Sequence, residues 1–187
     1  MSIPKIIHYC WFGGKPKPEL AQKCIKSWKK LCPDYEIIEW NEDNFDMNEN
    51  AYVRYCYENK KWAFLSDYAR LAIVYREGGI YFDTDVELIA PIDGLLQHEA
   101  FFAFENDSYV ATGLGFGAQA NHITVQKMLE EYPEGRTLCV HRMPDPQYKC
   151  TAVSWTGAEW KIPNCCWCGD PATGLYESIR RCNRQTE

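Results

Sequence analysis

Residues 62–85 read WAFLSDYARLAIVYREGGIYFDTD, and this stretch decides the fold. Its first part predicts a helix over residues 64–77, because apolar side chains recur on one helical face and a glycine pair follows at 78–79. Its second part, residues 80–83, predicts a short strand that runs directly into acidic residues. The apolar face of the predicted helix comprises Phe64, Leu65, Tyr68, Leu71, Ala72 and Tyr75.

The flanking sequence continues this pattern with further strands and helices in alternation. Alternating strands and helices indicate an α/β fold with a largely parallel sheet. The chain shows no internal repeat and no interdomain linker. The other predicted strands lie at residues 3–12, 35–40, 86–89, 101–104 and within 110–117, and the other predicted helices at 19–31, 52–58 and 123–132.

Length and charge restrict the class of protein. The 187 residues suffice for about one domain, and 25% charged residues are typical of a globular chain. A net charge of −6 argues against a nucleic-acid partner. No apolar run approaches the roughly 18 residues that cross a bilayer. Residues 1–8 also lack the apolar core of a signal peptide, so we expect a cytoplasmic protein with reduced thiols.

The last 55 residues differ from the rest in composition. They contain six of the ten cysteines and carry a charge of +1 from seven basic and six acidic side chains, and regular periodicity fades after residue 132. We therefore predict one domain over 1–132 and a separate tail over 133–187. A zinc site in the tail is conceivable, but the paired C-x-x-C spacing of zinc sites is absent. Its candidate ligands would be Cys165, Cys166, Cys168 and Cys182.

Asp83 and Asp85 are the first candidates for chemistry. If the strand continues, alternating side chains put both carboxylates on one side of the chain, where they can face one cation. Mg²⁺ and Mn²⁺ take oxygen ligands, commonly one or two carboxylates plus substrate phosphate oxygens. The alternative is a turn with two solvated aspartates.

Asp67 and Arg70 precede them on the predicted helix, three residues apart and therefore on one face. One interpretation is an ion pair on the helix surface, worth at most about 0.5 kcal/mol. The other places both residues at the carboxyl edge of the sheet, with Asp67 on a nucleoside and Arg70 near phosphate.

Together these motifs resemble a known family. Residues 67–70 (DYAR) and 78–85 (GGIYFDTD), with the opening IPKIIH of residues 3–8 and Trp11-Phe12-Gly13, are similar to glycosyltransferases with a sugar-binding DXD region. That family, family 32 in type, includes yeast initiating mannosyltransferases, bacterial capsular-polysaccharide transferases and, more distantly, clostridial glucosylating toxins. The resemblance covers about residues 3–132.

The resemblance implies a GT-A fold, a nucleotide-sugar donor, a divalent metal (Mn²⁺ or Mg²⁺) and transfer with retention of configuration. It implies that Asp83 and Asp85 bind metal and donor, and that Asp67 and Arg70 contact the donor. Donor contacts are also implied for Tyr81 and Trp11, for which core packing is the alternative.

Other residues of this region are weaker candidates. Glu105 and Asn106 follow a predicted strand in the region that would line the sugar site, but a polar turn is the alternative. His8 is interpreted as a strand-core histidine rather than a catalyst. No nucleophile stands out, although retention requires either a covalent intermediate or departure of the diphosphate from the front face.

The resemblance ends in the tail, where the family's C-terminal His followed by Ser-Trp is not found. The codons that could encode residues 154–187 can also be read one base further on. The amino acids that this shifted frame permits include sequence similar to the C-terminal part of the family. This predicts an incomplete GT-A domain with an out-of-frame tail, poor stability and weak or absent transfer.

Two further function classes remain open beside the transferase. An inactive nucleotide-sugar-binding remnant would bind donor without transferring sugar. A haloacid dehalogenase phosphatase also has a D-x-D after a strand, but it needs Thr or Val where this chain has Glu87. The resemblance to soluble bacterial members predicts a role in polysaccharide biosynthesis, in the cytoplasm or peripherally at the inner membrane face, with a glycan or lipid-linked acceptor.

Overall fold

The computed structural model describes residues 2–106, 109–132, 165–167 and 179–182. Helices and strands both occur along the chain as the sequence predicts, but they alternate strictly only over residues 6–58. The helices are α1 Glu19–Leu31, α2 Ala51–Glu58, α3 Trp62–Glu77 and α4 Ile123–Glu130, with a short 3-10 helix at Asp93–Gln97. The strands are β1 Ile6–Cys10, β2 Glu36–Trp40, β3 Gly79–Tyr81, β4 Val86–Leu88, β5 Ala100–Phe102, β6 Phe104–Asn106, β7 Tyr109–Val110, β8 Phe116–Ala118, β9 Cys165–Trp167 and β10 Ile179–Arg181.

Six strands form one central sheet in the order β2-β1-β3-β8-β5-β9. Strands β2, β1 and β3 are parallel, β8 is antiparallel to both β3 and β5, and β9 is parallel to β5. Only β8 therefore runs against the others, which confirms the predicted α/β class with a largely parallel sheet. Two small antiparallel pairs, β10-β4 and β6-β7, accompany it.

Two apolar layers cover the central sheet, one on each face. Successive residues of β3 point to opposite layers: Ile80 packs with Cys24 and Trp28 of α1, whereas Tyr81 packs with residues of α2, α3 and α4. We call these the α1 layer and the α3 layer. Because a buried strand is apolar on both faces, the continuous apolar run of this segment follows from its central place in the sheet.

The glycine pair after α3 turns the chain directly into β3. Gly78 has φ +68° and Gly79 has φ +95°, a region that side-chain-bearing residues rarely adopt. The Gly78 N–H donates to the carbonyl of Val74 at 2.9 Å and closes the helix. A Cβ at Gly78 would lie 2.9 Å from the backbone nitrogen of Ala120. Glycine is therefore required here by both conformation and space.

His8 is buried in the centre of β1, as its interpretation as a core histidine predicts. Its Nδ1 lies 3.1 Å from the indole nitrogen of Trp40, which donates to it, and its Nε2 lies 2.9 Å from the carbonyl oxygen of Gly78. A neutral ring with its proton on Nε2 satisfies both bonds. Burial lowers the pKa of His8 to about 4, which keeps the ring neutral.

Two short parts of the tail belong to the described structure. Strand β9 extends the central sheet beside β5, and β10 pairs with β4. Next to β10, the Cys182 N–H donates to the carbonyl of Asp85 at 2.8 Å, and its Sγ lies 3.9 Å from the Sγ of Cys24. These segments therefore reach both the α1 layer and the start of β4.

The conceivable zinc site has no support among the described residues. Cys165 and Cys166 are described only as part of strand β9, and Cys168 lies outside the described residues. In the described ranges no three His, Cys, Asp or Glu side chains form a group that could hold a metal ion.

No helix in the described ranges is long and apolar enough to span a bilayer.

The indole of Trp28 links α1 to the chain just after the aspartates at positions 83 and 85. The fully buried Trp28 donates from Nε1 to the carbonyl of Val86 at 2.8 Å. We expect Trp28→Phe to lower the free energy of unfolding by about 2 kcal/mol, because the Val86 carbonyl loses a buried donor. Urea unfolding measures this. Trp11→Phe is the control, since its indole bonds an exposed loop, and equal losses in both variants would contradict the prediction.

Candidate active site

Helix α3 presents Asp67 and Arg70 at the carboxyl edge of the sheet. The Arg70 side chain is only 6% exposed, and its Nη2 lies 2.8 Å from Oδ1 of Asp67. Its Nε donates to the carbonyl of Ser66 at 3.2 Å, and its Nη1 donates to Oγ1 of Thr112 at 3.3 Å. A surface ion pair, one of the two predicted alternatives, does not describe this buried arrangement.

Strand β3 brings Asp83 to the same guanidinium. Oδ1 of Asp83 lies 3.2 Å from Nη2 of Arg70 and accepts a hydrogen bond of 3.1 Å from the hydroxyl of Tyr81. The Arg70 guanidinium also lies over the Tyr81 ring, 5.1 Å from its centroid. The structure therefore joins Asp67, Arg70, Tyr81 and Asp83 in one contact network.

The charges in this network are fixed by burial and by each other. Burial alone would lower the pKa of Arg70, but Asp83, Tyr81 and Asp67 raise it, so the guanidinium stays charged. Burial is the main reason that the pKa of Tyr81 lies far above its ordinary value, and the neighbouring Cys10 and Asp83 raise this pKa further. Tyr81 is therefore a neutral hydroxyl that donates to the Asp83 carboxylate.

Asp85 lies beyond a turn rather than further along a strand. The Val86 N–H donates to the carbonyl of Asp83 at 3.1 Å, which closes a turn over residues 83–86. The extended alternation that the sequence predicts for Asp83 and Asp85 is therefore wrong. Asp83 contacts Arg70 and Tyr81 of the α3 layer, whereas the carbonyl of Asp85 accepts the N–H of Cys182, whose Sγ lies 3.9 Å from that of Cys24 in the α1 layer.

The carboxylate oxygens of the turn over residues 83–86 suit a divalent cation that binds together with a ligand. Asp83 and Asp85 supply carboxylate oxygens, the hard donors that Mg²⁺ and Mn²⁺ take. Because the described residues contain no three-ligand group, their side chains alone do not form a closed metal site. They fit a cation whose remaining ligands are the phosphate oxygens of a bound molecule.

Trp11 lines an open cleft of about 810 Å³, and none of the four network residues lines this cleft. It follows β1, and its Nε1 donates to the carbonyl of Lys15 at 2.6 Å. The ammonium of Lys17 lies 5.9 Å from its ring centroid. Trp62 lines the same cleft and packs against Gly13, where a Cβ would lie 2.8 Å from the Trp62 indole nitrogen.

The remaining candidates are described only in part. Glu105 and Asn106 lie in strand β6, which pairs with β7, rather than in the polar turn that was the alternative. Their side chains lie outside the described residues.

Sequence reasoning missed Thr112 and Gly113, which contact Arg70 and Asp83. The only signal for them in the sequence was the series of glycines at 113, 115 and 117.

Comparison with known proteins finds similarity to glycosyltransferases. Residues 18–102 match the family model described as "Glycosyltransferase sugar-binding region containing DXD motif". The chain is 30% identical over 129 residues to inositol phosphoceramide mannosyltransferase 1 of Schizosaccharomyces pombe, covering 59% of this chain and 39% of that one. It is 32% identical over 108 residues to human alpha-1,4-N-acetylglucosaminyltransferase, covering 57% of this chain and 27% of that one. The chain thus spans well under half the length of these curated relatives.

A solved structure shares the fold. The PaToxG glycosyltransferase superposes with a TM-score of 0.57 at 19% sequence identity, covering 69% of this chain and 60% of the other. The fold is therefore of the GT-A type, as the resemblance implies. Within it, residues 18–102 are similar to the glycosyltransferase sugar-binding region containing a DXD motif, and the matched stretch includes Asp83 and Asp85.

Proposed function

We propose that this chain is a metal-dependent glycosyltransferase that moves a sugar from a nucleotide-sugar donor to a glycan or lipid-linked acceptor with retention of configuration. The observation that supports this most is the placement of Asp83 at the carboxyl edge of the sheet, held by Arg70 and Tyr81 within the matched family region. In open α/β sheets, ligands bind outside the carboxyl ends of the strands.

Each group of the site has a separate role in this proposal. Asp83 and Asp85 would hold Mn²⁺ or Mg²⁺ together with the donor diphosphate. The bound cation would supply charge neutralisation for the departing diphosphate. Arg70 orients Asp83, since its guanidinium is already bonded to Asp67, Asp83 and Thr112.

The cleft beside Trp11 offers a surface for the nucleoside part of the donor. Aromatic faces stack on bases, and the half-buried Trp11 is available for such a contact. Trp62, the first residue of α3, gives the cleft a second aromatic wall. Asp67, at the carboxyl edge of the sheet, would accept a hydrogen bond from a hydroxyl of the donor. Glu105 and Asn106 remain proposed for the sugar side, and no residue is assigned as a nucleophile.

The acceptor and the cellular setting belong to the proposal as well. The name of the yeast relative specifies inositol phosphoceramide, a lipid, as the acceptor, and this supports a lipid-linked acceptor here. The human relative is named for N-acetylglucosamine rather than mannose, so the sugar is left open. We place the reaction in polysaccharide biosynthesis in the cytoplasm, at the inner membrane face.

The second candidate function is an inactive nucleotide-sugar-binding remnant. It is favoured by the altered composition of residues 133–187, which we propose to be an out-of-frame tail that follows the domain over 1–132. Sequencing the gene tests the origin of the tail. An intact single frame, with related genes ending in the same tail, would refute it.

A thermal-shift screen of nucleotide sugars with Mn²⁺ tests donor binding. We expect the matching donor to stabilise the chain by about 2.7 kcal/mol at 100 times its Kd, because only the folded state binds it. Asp83→Asn is expected to abolish this shift, whereas Asp93→Asn, at an exposed aspartate paired with Lys5, should retain it.

Release of nucleoside diphosphate from the same donor then separates the two candidate functions. Turnover supports the transferase, and binding without turnover supports the remnant. Absence of any Mn²⁺-dependent shift would contradict both.

A further inference from the structure

A turn far along the chain completes the surroundings of the Asp83 carboxylate. It comprises residues 111–115 and lies between β7 and β8. The N–H groups of Leu114 and Gly115 both donate to the carbonyl of Ala111, at 2.9 and 3.3 Å. We call it the Gly113 turn. Its two ends are tied down by bonds between Ala111 and Ala103 and between Ala103 and Gly115.

The Gly113 turn contacts both partners of the buried ion pair. The carbonyl of Gly113 accepts the Asp83 N–H at 3.0 Å. The hydroxyl of Thr112, which is 3% exposed, accepts from Nη1 of Arg70 at 3.3 Å. The turn therefore fixes the backbone of Asp83 and the guanidinium that holds its Oδ1.

Gly113 also leaves the space that the other carboxylate oxygen occupies. A Cβ at this position would overlap Oδ2 of Asp83 and would lie 3.0 Å from its Cγ and 2.8 Å from Nη1 of Arg70. Gly113 is not among the glycines with positive φ, so its backbone conformation is open to other residues. Space beside the carboxylate, rather than conformation, therefore requires glycine here.

We propose that Gly113 is a positioning residue for the transfer reaction, because it leaves room for the Asp83 carboxylate beside Arg70 and Tyr81. We call the space bounded by Gly113, Arg70 and Tyr81 the cradle. This inference rests on the proposed function. A methyl group at position 113 would push the Asp83 carboxylate out of this cradle while leaving its charge and chemical identity unchanged. The cradle thus sets where Asp83 presents its oxygens to the donor diphosphate and cation.

The first test is a double-mutant cycle on stability, which needs no donor. Gly113→Ala is made in the full chain and in the Asp83→Ala background, and thermal unfolding is measured for all four proteins. We expect Gly113→Ala to lower Tm in the wild-type background and to have a much smaller effect once the carboxylate is gone. If Gly113→Ala alone fails to fold, recovery of folding in the double variant gives the same result. An equal loss in both backgrounds would overturn the inference.

The second test is Mn²⁺-dependent release of nucleoside diphosphate. We expect Gly113→Ala to lower kcat by about 100-fold, the scale of loss from a misplacement of about 1 Å. Gly94→Ala is the matched control, since a Cβ at Gly94 would meet nothing within 4 Å, and it should keep wild-type turnover. Wild-type turnover by Gly113→Ala would overturn the inference. No turnover by the wild-type chain would instead count against the proposed function, and the stability cycle would still decide the placement of Asp83.

Discussion

Arg70→Ala is expected to lower the free energy of unfolding by about 3 kcal/mol, although it changes a charged residue on a helix. The side chain is 6% exposed and pairs with both Asp67 and Asp83. Its removal leaves two carboxylates without their buried cation, and removing one partner of a buried pair costs about 3–5 kcal/mol. Because the two carboxylates are 24% and 27% exposed, water reduces the loss to the lower end of this range.

The same helix provides a matched control. Arg76 also lies on α3, pairs with Glu49 at 3.0 Å and is 46% exposed. Arg76→Ala removes the same number of atoms, but an exposed ion pair contributes at most about 1 kcal/mol. Urea unfolding of both variants measures the difference. Equal losses would show that the Arg70 network contributes no more than a surface pair.

The fold should also lose stability in mild acid because of His8. The ordinary pKa of histidine is 6.5, and burial lowers that of His8 to about 4 in the folded chain. Between these values the unfolded state binds the proton more tightly, so stability falls as pH falls. One pKa unit corresponds to about 1.4 kcal/mol, which gives a loss of about 3 kcal/mol from His8 at pH 4. Above pH 6.5 the contribution of His8 is constant.

His8→Gln separates this contribution from that of the carboxylates. Glutamine does not titrate, so the variant should lose about 3 kcal/mol less than the wild type between pH 7 and pH 4. Unfolding free energies measured by urea at several pH values give the two profiles. Parallel profiles for wild type and variant would mean that folded His8 takes up its proton with the ordinary pKa of histidine, against its burial and its bonds to Trp40 and Gly78.

Local sequence signals were sufficient for the elements that carry the site. Helix α1 at Glu19–Leu31 has the predicted bounds, and α3 begins two residues before the prediction. Both helices have apolar residues at helical spacing and a breaker at the end, which are properties of a single segment. The pairing of Asp67 with Arg70 also follows from local spacing, because residues three apart on a helix are neighbours.

Two features of the site depend on contacts between distant segments. The cradle around Asp83 needs Gly113, thirty residues further along the chain, and the antiparallel pairing of β3 with β8 brings the two together. No periodicity within either segment encodes that pairing. The turn after Asp83 was only the alternative in the sequence analysis for a related reason, since an apolar run before Asp-Thr-Asp does not show where the extended backbone stops.

The buried ion pair has a consequence for how this site would decay. Arg70 and Asp83 contribute to folding as well as to the proposed chemistry, so a lineage that no longer needs sugar transfer would still lose stability by replacing them. Purifying selection for a folded chain would therefore preserve them in an enzyme that has lost its activity. The half-buried Trp11 packs against the α1 layer and donates to an exposed loop, which constrains it less than the ion pair constrains Arg70 and Asp83, so mutations should accumulate at position 11 first. Under the proposed function, folding alone would explain why a related gene keeps the acidic motif, and an aromatic residue at position 11 would be the better indicator of activity.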